Sequence, residues 1–288
     1  MPPKNYGLRI CFDRIIPAKN NPQKAAAHQA ALTHYASLVQ QKSGLKDASF
    51  GEHVEKIGLH NLSADGPILT ARMAIINQKK WDNGFNLRCR FLDGDDTQQQ
   101  KVIEKAKIWE QFANVHINFG EDEDAEVRIS FEADPGSWSA IGQDARDREA
   151  FPIDQPTMNY GWLQDDTEDQ EYERVVVHEF GHALGCIHEH QSPTEHLKWN
   201  KAKVYEVFSG PPNNWSKEEI DQNILEKYSP KGLSATAFDI QSIMLYQFDP
   251  ELFTDHKGTP LNTQLSNKDK AMIAKMYPAV GAAVGKPA

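Results

Sequence analysis

Residues 175–190, VVVHEFGHALGCIHEH, constrain this chain more than any other stretch. As a helix, the segment puts His178 and His182 one turn apart on the same face, where two imidazoles can bind one metal ion. Gly185 stands where a helix can end in the left-handed conformation that glycine adopts at least cost, turning the chain so that His188 swings back. Three imidazoles plus one open position make a catalytic zinc arrangement, whereas structural zinc sites close with four protein ligands. Zinc held this way lowers the pKa of its water to roughly 7. Glu179, adjacent to a ligand, is placed to take that water's proton and pass it to a leaving amine. A bare pair of histidines four residues apart recurs in unrelated chains; the added glycine and third histidine at fixed offsets make chance a poor explanation.

The string HEFGHALGCIHEH resembles the HExxHxxGxxH signature of the metzincin zinc endopeptidases, and Glu189, straight after the third histidine, is similar to the astacin branch. Residues 238–246, FDIQSIMLY, resemble the Met-turn, whose methionine packs below the three imidazoles. Tyr246, two after Met244, resembles the tyrosine that astacins and serralysins carry there. Residues 265–270, LSNKDK, are similar to the start of the last helix in astacin-like domains.

The resemblance implies an α+β, two-subdomain zinc protease. A twisted, mostly parallel sheet with two helices lies above the cleft, and an irregular lower subdomain ends in a C-terminal helix. It implies a metalloendopeptidase acting on peptide or protein substrates through a metal-bound water activated by Glu179. His178, His182 and His188 are the implied ligands of one Zn2+. Tyr246 is implied as hydrogen-bond donor to the oxyanion or as a fifth ligand, and Glu189 as a structural residue orienting a chain terminus or a group behind the ligands. His190 and His196 are read as surface residues. The alternative is a zinc-binding pseudo-protease that captures a peptide or protein partner without cleavage. Its mark is loss of the glutamate or the tyrosine; both are present, which favours hydrolysis.

At 288 residues and 39% apolar, the chain has room for one large domain or for one domain with an extension. A net charge of −10 with no lysine and arginine block argues against nucleic acid or an anionic membrane as partner. No apolar run reaches the length of a membrane span. The N-terminus lacks the apolar core of a signal peptide, so the chain as written reads as intracellular, and as secreted if a leader precedes it. Cys11, Cys89 and Cys186 are too few for a disulfide framework and form one pair at most. Oligomeric state and cleavage-site preference leave no trace in the sequence.

Residues 1–80 read as an N-terminal extension, 81–278 as the catalytic domain and 279–288 as a flexible tail. The extension offers a strand at residues 8–12, a helix at 23–41 and a helical stretch at 69–76. Related enzymes are held inactive by a propeptide cysteine or aspartate that takes the water's place, which makes Cys11 or Asp13 the candidate; the favoured reading is a strand that completes the fold. In the catalytic domain, alternation predicts strands at residues 87–91, 115–119 and 127–131. Thr97 with Gln100 predicts the capping box of a backing helix, and Thr167 with Gln170 that of the active-site helix. The acidic turn at residues 121–124 carries oxygen ligands of the kind Ca2+ takes, but no EF-hand spacing supports such a site. Residues 137–142 fall where a sheet edge can pair with a peptide, or are an ordinary edge strand. Helices are expected at 201–208, at 216–228 opened by Ser216 with Glu219, and at 267–276 capped by Ser266 and Asp269.

Overall fold

The computed structural model describes residues 12–14, 75–76, 79–133, 136–210, 213–227, 233–234 and 237–279. Its main sheet contains β1 (Phe12–Arg14), β3 (Asn86–Phe91), β4 (His116–Phe119), β5 (Val127–Ser130), β6 (Ser137–Ala140) and β7 (Met158–Tyr160) in the order β1-β6-β7-β5-β3-β4. Every pairing is parallel except β6 with β7. The alternation read in β3 holds: Leu87 and Cys89 are buried and Arg88 turns outward. At the centre, β5 is buried on both faces. The buried Arg128 guanidinium there donates to the carbonyls of Ala125, Phe151, Pro152 and Gln155. A charge is tolerated in that position because four of the five N–H donors meet a carbonyl oxygen.

One face of the sheet is covered by α1 (Asp96–Ala106), which continues as a 3-10 turn Lys107–Gln111, and by α2 (Asp169–Ala183) packed against it. Val102, Ala106, Trp109 and Ala113 are all buried, as their helical spacing predicts. The capping boxes differ from expectation. For α1 the cap is Asp95, which accepts from the amides of Thr97 and Gln98, while Gln98 Oε1 accepts from the Asp95 amide. A carboxylate is the stronger acceptor at a helix N-terminus, so it wins over the hydroxyl two residues on. For α2 the N-cap is Glu168 without a side-chain bond, because the Thr167 hydroxyl is engaged by the Gln164 amide in the preceding turn. Asp169 and Glu171 still set negative charge at the positive end of the helix dipole.

The lower part carries α3 (Lys201–Ser209) and α4 (Lys217–Ile220), the latter passing into a π-helical turn Asp221–Leu225. The Ser216–Glu219 capping box is present, but the helix ends short of the expected residue 228. The last helix, α5 (Asn267–Met276), has the expected Ser266 and Asp269 box. Ile75–Ile76, expected to be helical, is instead strand β2, antiparallel to β8 (Leu233–Ser234), in keeping with the preference of consecutive β-branched residues for extended backbone. The predicted strand at 8–11 and helix at 23–41 lie outside the described residues.

One apolar core lies between the sheet, α1, α2 and α5 and contains Met244; a second, below, gathers Phe208, Tyr246, Phe248 and Phe253. Trp162 packs against both. No helix among the described residues is long and apolar enough to cross a membrane.

Candidate metal centre

α2 delivers His178 and His182, and the turn after it delivers His188. Gly185 has φ +94°; its N–H bonds the His182 carbonyl and the Cys186 N–H bonds the Gly181 carbonyl. This is a Schellman ending, as the glycine predicts. Two carbonyls left over at the helix end are taken by distant side chains: Trp81 Nε1 donates to Ala183 at 2.7 Å and the Tyr277 hydroxyl to Leu184 at 2.8 Å. Trp81 and Tyr277, far apart in sequence, thus close on the end of the helix that carries His178 and His182.

His178, His182 and His188 are buried, with Nε2 of His182 standing 3.1 Å from Nε2 of each of the other two. Nδ1–H of His178 donates to the Ile243 carbonyl at 2.8 Å, and Nδ1–H of His182 to the Cys186 carbonyl at 2.9 Å. The protons being held there, both Nε2 atoms present lone pairs to one another, which is repulsive unless a cation lies between them. Nitrogens bound tetrahedrally at the usual zinc distance stand about 3.3 Å apart, so the spacing suits zinc. Burial, followed by the neighbouring imidazoles, holds His178 well below the usual histidine range, and burial with His190 nearby does the same for His188. Neutral rings are what a metal requires.

Beneath the ligands, Ile243 and Met244 form the floor. Met244 lies in contact with α2 at Gly181, where a Cβ would stand 2.5 Å from its sulfur. The Met244 carbonyl accepts from the Glu189 amide at 2.9 Å. Glu189 in turn accepts the Asp239 amide at 2.7 Å, and burial lifts its carboxyl to about 8 despite that bond. From α5, Asp269 accepts from the Ser242 hydroxyl, the Ile243 amide and the Ser266 amide.

Glu179 is fully buried on α2 next to His178. The Tyr246 ring centroid lies 4.1 Å from that of His188, and its hydroxyl is 3.4 Å from His188 Nδ1. His190, expected at the surface, is completely buried: its Nε2–H donates to the Asn223 carbonyl at 3.0 Å, inside the lower aromatic core. The π-helical turn after the second lower helix packs over it, a tertiary approach that local patterning does not encode. His196 is exposed, as expected. Cys89 and Cys186 are buried free thiols, and Cys11 lies outside the described residues. Asp13 is in β1, paired in register with Ser139. The strand at 137–140 is therefore flanked on both sides, by β1 and β7, rather than open at an edge. In the acidic turn, Asp122 and Asp124 are engaged by Arg88 and Arg148.

Sequence reasoning overlooked Gly181, Trp81 and Tyr277 as supports of the site. An interior glycine in an otherwise regular helix was the available signal for the first; nothing local marks the other two.

The sequence matches the family model described as Astacin, a peptidase family, over residues 74–278. Among solved structures the chain is similar to myroilysin in two determinations. One has 39% identity and a TM-score of 0.68, covering 71% of this chain and 98% of that one. The other has 37% identity and a TM-score of 0.56, covering 72% and 90%. High choriolytic enzyme 1, a hatching enzyme zinc-protease from the medaka fish Oryzias latipes, shows 13% identity and a TM-score of 0.49 over 72% of this chain and 98% of that one. Comparison with curated proteins finds no match.

Proposed function

Because this chain belongs to the astacin family of peptidases and is a zinc metalloendopeptidase, we propose that His178, His182 and His188 hold its zinc ion, that Glu179 is its general base and acid, and that Tyr246 stabilises the oxyanion. The observation that carries this reading is the approach of three buried Nε2 atoms, two of them from the helix on which the buried Glu179 follows His178.

A zinc ion on these imidazoles supplies the Lewis acidity that makes a water nucleophilic near neutral pH. Glu179 takes a proton from that water as its oxygen attacks the peptide carbonyl, then hands the proton to the departing amine nitrogen as the C–N bond breaks. Its burial keeps bulk water from competing for the proton. A neutral His188 that turns Nε2 to the metal carries its proton on Nδ1, facing the Tyr246 oxygen; the phenol proton then stays available for the carbonyl oxygen as negative charge develops there. The substrate is a peptide or protein chain. The same reading makes residues 81–278 the catalytic unit, with 1–80 an N-terminal extension and 279–288 a tail.

The test is zinc content and casein cleavage, measured side by side for the wild type and Glu179→Ala. The variant should keep zinc and fold while losing several orders of magnitude in cleavage. Cleavage retained by the variant overturns the role of Glu179, and a wild type that binds zinc without cleaving any peptide returns the protein to the capture reading.

A further inference from the structure

His190 is a fourth buried imidazole, outside the proposed ligand set, and it packs directly on Tyr246. Its ring lies 5.0 Å from the Tyr246 ring at 33° and 5.3 Å from His188 at 25°. Since Tyr246 and His188 are themselves 4.1 Å apart, the three rings form a closed triangle with the metal-facing imidazole at one corner. Phe248 closes the other side of His190 edge-on at 5.0 Å.

The far end of the His190 ring is anchored. Its Nε2–H donates to the carbonyl of Asn223, within the π-helical turn Asp221–Leu225. The last carbonyls of a helix have no partner within it, and a π turn redirects them further. Here side chains of the segment after the third histidine take them up: His190 bonds Asn223, and Gln191 Nε2 bonds Gln222 at 2.7 Å. A π turn commonly marks a functional site, and this one fixes the depth and tilt of a ring stacked on Tyr246.

We propose that His190 is a positioning residue for Tyr246: tethered to the Asn223 carbonyl, its ring forms the wall that holds the phenol against the metal centre. This rests on the reading of Tyr246 as oxyanion donor. A hydrogen bond made only in the transition state is sensitive to the donor's placement, and misplacement by about 1 Å can cost about a hundredfold in rate. Loss of the tether should therefore appear in kcat, with KM and metal content left alone.

The experiment is a double-mutant cycle of His190→Phe and Tyr246→Phe in the zinc-loaded full chain, reading kcat, KM and zinc content. His190→Phe keeps an aromatic ring but loses the N–H to Asn223. It should lower kcat by about tenfold with KM and zinc unchanged, and should have no further effect once Tyr246 is phenylalanine. Equal losses from His190→Phe in both backgrounds overturn the proposal while leaving the Tyr246 reading intact, as does an unchanged kcat in the wild-type background. A Tyr246→Phe variant with undiminished kcat overturns the Tyr246 reading and this proposal together. Where His190→Phe does not fold, His190→Gln, which keeps an N–H donor but lacks the ring, is read through the same cycle with the same criteria.

Discussion

The Ile243 carbonyl accepts the Nδ1–H of His178 at 2.8 Å, and the Ile243 amide donates to Asp269 at the same distance. One peptide segment thus links a carboxylate of α5 to a ligand imidazole of α2. Partners behind a ligand fix its tautomer and direction, and their loss typically costs about 10- to 100-fold in metal affinity. Asp269 stands one bond further back, so Asp269→Ala is expected to weaken zinc binding by about tenfold, toward the lower end of that range. Competition against a chelator of known affinity measures it. Wild-type zinc affinity in the variant shows that the turn holds its shape without the Asp269 carboxylate.

Gly181 sets a second constraint on the same floor. In an exposed helix Gly→Ala gains about 1 kcal/mol. Here the new Cβ would lie 2.5 Å from the Met244 sulfur and 3.2 Å from Trp109, both buried. Overpacking a filled core costs about 1–3 kcal/mol, so the balance falls on the unfavourable side. Gly181→Ala should lower the thermal midpoint and the zinc occupancy together. A midpoint raised above wild type shows that Met244 can move aside freely.

The cluster of three histidines was legible because its spacing is short range: a helical turn and a glycine ending bring the three together with little help from the rest of the fold. Strand alternation in residues 87–91 and the capping box at Ser266 were legible for the same reason. The α1 and α2 caps were misread because several polar residues compete at each start, and the winner depends on which of them is already engaged in the preceding turn, as Thr167 is. Burial of His190 and the closing of Trp81 and Tyr277 on α2 depend on elements more than 30 residues away, which local patterning does not encode.

Glu126 ties the acidic turn to Arg88 and Arg146. Burial pushes its carboxyl up, but hydrogen bonds from the two guanidinium groups outweigh that, and its pKa ends below the usual value. A depressed pKa means that the unfolded state binds the proton more readily. The contribution to stability is therefore full above the unfolded carboxylate value of about 4.3 and is lost as pH falls through the lower folded value. Glu126→Gln should be less stable than wild type at pH 7, with the gap narrowing as the medium is acidified below about pH 4. Urea midpoints at both pH values decide it; a gap that widens in acid contradicts the assigned sign.

β1 lies parallel along β6 with Asp13 opposite Ser139, on the side of β6 away from β7. A strand has only two sides for pairing, and a peptide that adds to a sheet needs one of them vacant. If residues 137–140 are the stretch that holds the substrate backbone, β1 and the substrate compete for the same row of amides and carbonyls. Deleting residues 1–14 should then lower KM for an extended peptide, with a smaller effect on a dipeptide-sized substrate that is too short to pair along the strand. Asp13→Ala, which leaves the ladder intact, should behave as wild type if pairing alone is the obstacle, whereas a rise in activity would assign the blocking role to the carboxylate. A deletion variant that folds, keeps its zinc and shows unchanged KM for both substrates would make β1 a strand that completes the sheet and nothing more.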